Sequence, residues 1–171
     1  QATLALLRAE KHVSISAITS YLACPRQYQH RYIFRTPPCH RSGALAFGTA
    51  VHAALAVFYR RLMDGQLEPS SEELEAVFSD SWRVELRSTV PVLLDDGETE
   101  DGGLDKGVAV VRHFHAQAER PTKVVAVEEP FSIELCDPLT SVIFDERLVG
   151  VFDAVVEKPD GGYQILEHKT G

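Results

Sequence analysis

The apolar positions in the first half of the chain follow a helical period. Between residues 44 and 63, large apolar side chains recur every three or four residues, at Val51, Leu55, Phe58 and Leu62. This spacing places them on one face and predicts an amphipathic helix that ends at Gly65. Further along, Ser70 and Glu73 have the spacing of a capping box, which predicts a second long helix through about Leu86.

Shorter helical segments precede these two. Ser16 is the expected N-cap of a helix over residues 17–23, and Pro25 suits the first turn of a helix that reaches about Ile33. The prolines at positions 37 and 38 cannot continue it. The first third of the chain is therefore predicted to be helical.

Polar and acidic residues interrupt the pattern before the last helix. Residues 95–105 hold six acids and three glycines, a composition that predicts a mobile loop. A further helix is expected from Leu104 to Glu119, where Pro121 follows it. The acidic loop is interpreted as a solvated connector, with a repulsive gate as the alternative.

From Thr122 onward the pattern changes to the alternation of β-strands. Strands are predicted over 123–135 and 148–157, and the segment 158–162 reads as a turn before a last strand over 163–169. Helices first and strands last predict an α/β (α+β) fold, in which helices pack on a mainly antiparallel mixed sheet.

The composition is that of one globular domain with a hydrophobic core. The chain has 171 residues, of which 44% are hydrophobic. It begins with Gln1 and stops soon after Lys169, so we expect both ends to have been cut from a longer protein. No run approaches the length of a membrane span, which predicts a cytoplasmic protein without a membrane partner. Three widely spaced cysteines argue against a disulfide framework.

The charge is unevenly distributed along the chain. The net charge is −8, yet residues 1–60 hold seven basic residues against one acid, whereas residues 61–171 hold ten against 24. Aromatic side chains lie among the arginines of the basic segment, a mixture that can hold a phosphate backbone and stack on bases. The alternative is an arginine-bearing helix face in water. The candidate DNA contacts are Arg26, Arg31, Arg35 and Tyr28.

The stretch ILEHKTG, residues 165–171, ends a strand pattern with an acid, a histidine and a lysine. Glu167 and Lys169 share one strand face, so a carboxylate and an ammonium stand side by side. A five-residue turn centred on Asp160 would place Asp153 directly opposite Glu167. The alternative is an exposed strand end with a surface ion pair.

Two facing carboxylates require a neutralising partner. Asp153 shares its strand face with Val151 and Val155, so it is expected to point toward the apolar side of the sheet. Carboxylates that are close and partly buried repel one another unless a positive charge lies between them. A divalent cation would fit there, but a register slip of one residue would turn Glu167 to the other face.

Four segments together resemble a known family. They are SISAITSYLACPRQY, LAFGTAVHAAL, LVGVFDAVVE and ILEHKTG. In this order they resemble the PD-(D/E)XK nuclease superfamily, in the branch with the RecB and AddB nuclease domains and CRISPR-associated exonucleases. The resemblance implies one nuclease domain over residues 1–171 with a restriction-endonuclease-like core. Helices with a histidine motif would occupy 14–64, and a β core with the metal site would occupy 122–171.

The resemblance also implies roles for five residues. His52, Asp153 and Glu167 match the family's metal ligands, and the backbone carbonyl of His168 matches a further one. Lys169 matches the lysine that positions or activates the attacking water. Oxygen ligands alone favour Mg²⁺, and one imidazole makes Mn²⁺ especially acceptable.

The implied activity is metal-dependent hydrolysis of DNA, by an exonuclease that acts on single-stranded ends together with a helicase or recombination protein. Two departures stand against it. The family's helix with Q-x-x-x-Y is absent after Lys169, and His168 stands where an aromatic residue is frequent. The alternative is an inactive nuclease-like module that binds DNA or a helicase partner.

Cysteines and histidines offer two other metal sites. A zinc cluster is the first option, although its spacing matches no standard finger: Cys24, His30, Cys39 and His40. Cys24 before Pro25 also resembles the first ligand of a 4Fe–4S cluster in some members of the family. His113 and His115 face different ways on a helix, which argues against a shared metal.

Overall fold

The computed structural model describes residues 3–169. A π-helical turn, Gln29–Ile33, follows the third of the α-helices. The α-helices of this part of the chain are α1 (Leu4–Leu7), α2 (Ile15–Ala23), α3 (Pro25–Tyr28), α4 (Gly43–Met63), α5 (Ser71–Leu86) and α6 (Glu100–Gln117).

The strands form a mixed sheet and a small separate ladder. They are β1 (His12–Ser14), β2 (Arg41–Ser42), β3 (Val92–Leu93), β4 (Lys123–Cys136), β5 (Ile143–Glu157) and β6 (Tyr163–Leu166). β5 pairs with β1 in parallel and with β6 antiparallel, and β4 is its other neighbour. The connection 137–142 is too short for a parallel crossover, so β4 and β5 run antiparallel. The α/β fold with a mainly antiparallel mixed sheet is confirmed.

The chain forms two compact units. The first comprises residues 3–37 and 128–152 of the described chain, and the second comprises residues 38–127 and 153–169. β4 and β5 each contribute residues to both units. The assignment of residues 1–171 to one nuclease domain stays a prediction.

The core of the second unit is built from α4, α5 and α6. The predicted stripe on α4 is buried at Val51, Leu55 and Phe58, and Leu62 packs against it half-buried. The predicted capping box is present, because the Ser70 hydroxyl and the Glu73 carboxylate each accept a backbone N–H of the other residue. Periodicity and capping therefore predicted both long helices correctly.

The start of α6 was predicted wrongly. Residues 100–103 lie in the first turn of a helix rather than in a loop, because the Thr99 side chain accepts the Gly102 N–H as N-cap. Glu100 and Asp101 stabilise this end, where the helix dipole is positive. Gly107 packs so closely on the Phe78 ring that a Cβ there would overlap it. Gly103, one of the glycines that predicted flexibility, likewise lies against Trp82 of α5, so it allows close packing of helices.

The cap of α2 was also predicted wrongly. Ser14, not Ser16, is the N-cap, and its hydroxyl accepts the Ala17 N–H at 3.2 Å. Ser16 instead forms a side-chain hydrogen bond to Ser14 at 3.0 Å. The helical prediction as far as Ile33 is confirmed, with the last five residues in π geometry.

One helix of the described part of the chain is long and apolar enough to cross a membrane, by length and composition alone. It is α4, and 56% of its most apolar 18-residue stretch is buried inside the structure. The sequence prediction that no run approaches this length is wrong. The burial is that of a core helix.

Candidate active site

His52 is carried by the most buried helix of the second unit. The Ser42 hydroxyl caps α4 by accepting the Leu45 N–H at 3.3 Å. The neighbours of His52 on the core side, Val51 and Ala54, are at most 2% exposed. The His52 side chain itself is 34% exposed. A tightly packed helix thus presents an imidazole that water and ligands can reach.

The hairpin of β5 and β6 positions Asp153. Val155 pairs with Ile165 and Glu157 with Tyr163, so the predicted register is confirmed. The turn closes through a bond from the Lys158 N–H to the Gly162 carbonyl at 2.7 Å. The last pair of this ladder is Ala154 with Leu166. Asp153 lies one residue before Ala154, so the same register would place it opposite Glu167.

Two details of this hairpin differ from the prediction. β6 ends at Leu166, so the segment 167–169 leaves the ladder instead of continuing it. The buried residues of β5 next to Asp153 are Ala154 and Val156. Val151 and Val155, which were predicted to share the apolar face with Asp153, are only half-buried, while Asp153 itself lies 3.3 Å from His52 on the core helix α4.

The Asp153 carboxylate joins two parts of the site. Its Oδ1 atom lies 3.3 Å from Nδ1 of His52 on α4. Its Oδ2 atom accepts a hydrogen bond of 2.7 Å from the backbone N–H of His168. This side chain is 20% exposed. Asp153 consequently fixes the backbone of the acid-x-lysine segment beside the helix histidine.

Glu167 and Lys169 pair with each other. The Lys169 ammonium donates to Glu167 Oε2 at 2.9 Å, and the two side chains are 81% and 45% exposed. The hydrogen bond to Glu167 is the main reason that the pKa of Lys169 is raised above its ordinary value. The lysine is therefore a positive charge at neutral pH.

His168 makes aromatic contacts that the sequence did not reveal. Its ring stacks on Tyr59 with 5.6 Å between centroids and meets Phe114 edge-on at 5.6 Å. Its Nε2 atom lies 3.2 Å from the Tyr59 hydroxyl. His52 and Tyr59 are two turns apart on one face of α4, and this spacing could have identified Tyr59.

Burial controls the protonation of this aromatic group. Desolvation, with smaller contributions from the Asp153 and Glu119 charges, raises the pKa of Tyr59 to about 12. Desolvation also lowers the pKa of His168, although the Asp153 carboxylate opposes it. Tyr59 is therefore neutral at physiological pH, and the charged form of His168 is disfavoured.

The donor atoms suit a hard divalent cation. Neighbouring ligands of an octahedral ion with bonds of about 2.1 Å lie about 3 Å apart. The 3.3 Å between His52 Nδ1 and Asp153 Oδ1 agrees with two ligands of one ion. Within residues 3–169, however, no three His, Cys, Asp or Glu side chains form a group that could hold a metal ion. The structure brings His52 and Asp153 together and leaves Glu167 with Lys169.

Three of the four candidate DNA contacts meet in the first unit. Tyr28, Arg31 and Arg35 line one groove of about 690 Å³, whereas Arg26 is not part of its lining. Tyr32, which was not among the predicted contacts, lines the groove as well. Cys24 is exposed, between α2 and α3.

Comparison with known proteins identifies a family for most of the chain. A family model described as the PD-(D/E)XK nuclease superfamily matches residues 12–171. No curated protein and no solved structure matches the chain. The match covers the helix histidine, the strand aspartate and the acid-x-lysine segment, and the mixed α/β architecture agrees with the fold of that superfamily. The chain therefore belongs to the PD-(D/E)XK nuclease superfamily.

Proposed function

We propose that this chain is a metal-dependent deoxyribonuclease of the RecB/AddB-like branch, an exonuclease that acts on single-stranded DNA ends. One observation carries the proposal. The Asp153 carboxylate lies 3.3 Å from His52 and accepts the His168 N–H at 2.7 Å, so the strand aspartate connects the helix histidine with the acid-x-lysine segment. If Glu167 and Lys169 formed only a surface ion pair, their segment would not need a link through Asp153 to His52.

His52, Asp153, Glu167 and the carbonyl oxygen of His168 would hold Mg²⁺ or Mn²⁺. Superfamily members use such divalent metals, and one imidazole with two carboxylates is a suitable donor set. The bound ion would supply positive charge to the scissile phosphate and make water more acidic. Glu167 Oε2 accepts from Lys169 at 2.9 Å, and Oε1 would be the oxygen offered to the ion.

Lys169 would act as a fixed positive charge beside the phosphate. Its side chain is 81% exposed, and its ammonium pairs with Glu167. An ammonium has three N–H donors, so Lys169 could also donate to a substrate oxygen while it is paired with Glu167. Positioning of the phosphate and the attacking water is thus its proposed role.

Arg26, Arg31, Arg35 and Tyr28 would contact the DNA. Arginines bind phosphates in a bidentate manner, and these three are exposed. We further propose a cytoplasmic protein that works with a helicase or recombination protein. Cys24 is exposed and has no disulfide, as one thiolate ligand of a 4Fe–4S cluster requires.

A second candidate function is supported by the pairing of Glu167 with Lys169. Because these charges satisfy each other and no three-ligand group is formed in the described chain, an inactive module that binds DNA or a helicase partner is the alternative. The first candidate cleaves DNA and the second does not, whereas binding to DNA is compatible with both.

The experiment measures cleavage of an end-labelled single-stranded oligonucleotide in Mn²⁺, with EDTA as the blank. Lys169→Ala should lower the rate about 10²- to 10⁴-fold. Lys158→Ala, in the hairpin turn, is the matched control and should cut like the wild type. A wild-type chain that binds DNA without metal-dependent cutting would favour the inactive module. Equal rates for wild type and Lys169→Ala would exclude a role for the lysine.

A further inference from the structure

Two tyrosines form an aromatic wall in the groove of the first unit. Tyr28 and Tyr32 are stacked, with 5.1 Å between centroids and 25° between planes. Tyr21 supports them, edge-on to Tyr28 at 5.5 Å. The rings are half-buried, and their packing restricts the side-chain rotamers. The tyrosine side chains therefore lose little conformational entropy when a ligand stacks on them.

A third aromatic group and apolar side chains complete the same groove. Phe144 of β5 lines it and is 50% exposed. Val13, Ala17 and Leu135 contribute the apolar remainder of the lining. A flat apolar ligand would cover surface that water otherwise contacts.

The rim of this groove is mainly basic. Arg31 and Arg35 are exposed, and the Arg31 guanidinium carbon lies 5.6 Å from the Tyr32 centroid. Arg35 has a left-handed backbone, φ 50°, which is uncommon for a residue other than glycine. Glu146 is the acid among the lining residues and repels phosphate on its own side. A polyanion is therefore directed to the two arginines.

The groove has the size of a ligand site. Its volume of about 690 Å³ lies within the range of roughly 300–1,000 Å³ that is typical of small-molecule sites. Duplex DNA stacks its base faces on one another, so it offers phosphates, sugars and groove edges to such a surface but no free base face. Single strands expose base faces, which stack on aromatic side chains while arginines follow the backbone.

We infer that this groove binds single-stranded DNA by stacking an unpaired base on the Tyr28–Tyr32 pair, with Arg31 and Arg35 on the adjacent phosphates. The inference rests on the proposed function for the choice of DNA. It adds a base-binding site that requires no metal and no cleavage.

The test is fluorescence anisotropy in EDTA, where hydrolysis cannot interfere. Three labelled probes of equal length are compared: a single strand with bases, an abasic single strand and a duplex. The wild type should bind the base-bearing single strand about 5- to 100-fold more tightly than the abasic strand, which is the effect of one stacked base.

The variants separate stacking from charge. Tyr28→Leu and Tyr32→Leu should lose that preference, while Tyr32→Phe, which retains the ring, should keep it. Arg31→Ala should weaken binding of both single strands equally and lower the salt-dependence slope by about 0.7. The controls are Tyr163→Leu and Arg8→Ala, both exposed residues outside the groove lining.

Each outcome decides the inference. Equal affinity of the wild type for abasic and base-bearing strands would overturn it, as would unchanged binding in well-folded leucine variants. If the leucine variants do not fold, the wild-type preference for bases and its retention in Tyr32→Phe still decide. A chain that prefers bases in EDTA but does not cut in Mn²⁺ contradicts only the proposed nuclease activity.

Discussion

The candidate active site and the groove of the first unit hold their functional side chains differently. His52 and Asp153 project from α4 and β5, next to residues that are almost completely buried, such as Val51 and Ala154. Arg31 and Arg35 are exposed around half-buried tyrosines. Metal ligands need fixed geometry, which rigid elements provide, whereas exposed arginines can follow the phosphates of a flexible single strand. Packing and function should therefore respond differently to substitution in the two regions.

The largest effect is expected where the core supports the site. Phe58→Ala should lower the free energy of unfolding by about 3–5 kcal/mol, since Phe58 is fully buried on α4 and its removal leaves a cavity. Urea denaturation measures this. Tyr21→Ala is the counterpart in the first unit and should cost less than about 1.5 kcal/mol, because its ring is 54% exposed. Similar losses of unfolding free energy in the two variants would contradict the proposed difference in packing between the two regions.

An intermediate effect is expected from Asp153→Asn, and only in the presence of metal. Mn²⁺ at about a hundred times its Kd should stabilise the wild type by roughly 2.7 kcal/mol. The asparagine variant should gain much less, because it lacks a charged ligand. Its amide oxygen can still accept the His168 N–H, so the two proteins should have similar stability in EDTA.

Thermal denaturation with Mn²⁺ and with EDTA provides this measurement. Asp105→Asn, an exposed acid on α6, is the matched control and should keep the full stabilisation by Mn²⁺. An equal gain in Asp153→Asn and wild type would show that Asp153 is a structural residue.

The smallest effect concerns the aromatic support of the acid-x-lysine segment. Tyr59→Phe keeps the ring that stacks on His168 and removes only the hydroxyl 3.2 Å from Nε2. The expected cost in unfolding free energy is about 0.5–1.5 kcal/mol, the net value of one hydrogen bond. Urea denaturation measures it, and a loss above about 3 kcal/mol would mean that the hydroxyl has a further buried partner.

The hairpin shows how much could be predicted from the sequence. Strand alternation and a five-residue turn determined the register of β5 and β6, because a one-residue slip would expose the apolar set. The end of β6 at Leu166 was not predictable from this pattern. After Leu166 the strand ends, and the His168 N–H donates to the side chain of Asp153. This is a tertiary interaction, which strand alternation does not predict.

The missed features share one physical origin. The first turn of α6 contains acids and glycines that favour a loop locally, but the Thr99 cap and the close contact of Gly107 with Phe78 favour a helix in the folded protein. Likewise, no sequence pattern indicated that the ring of Tyr59 on α4 stacks on His168. Local patterns carry no information about such partners from distant parts of the chain.

Mn²⁺ binding located by anomalous scattering tests the central claim most directly. Crystals of the chain are soaked in Mn²⁺ and measured where the anomalous signal of manganese is strong. A single peak contacted by His52, Asp153, Glu167 and the His168 carbonyl oxygen is the predicted result. The account is contradicted if saturating Mn²⁺ gives no peak beside Asp153 while Glu167 remains paired with Lys169.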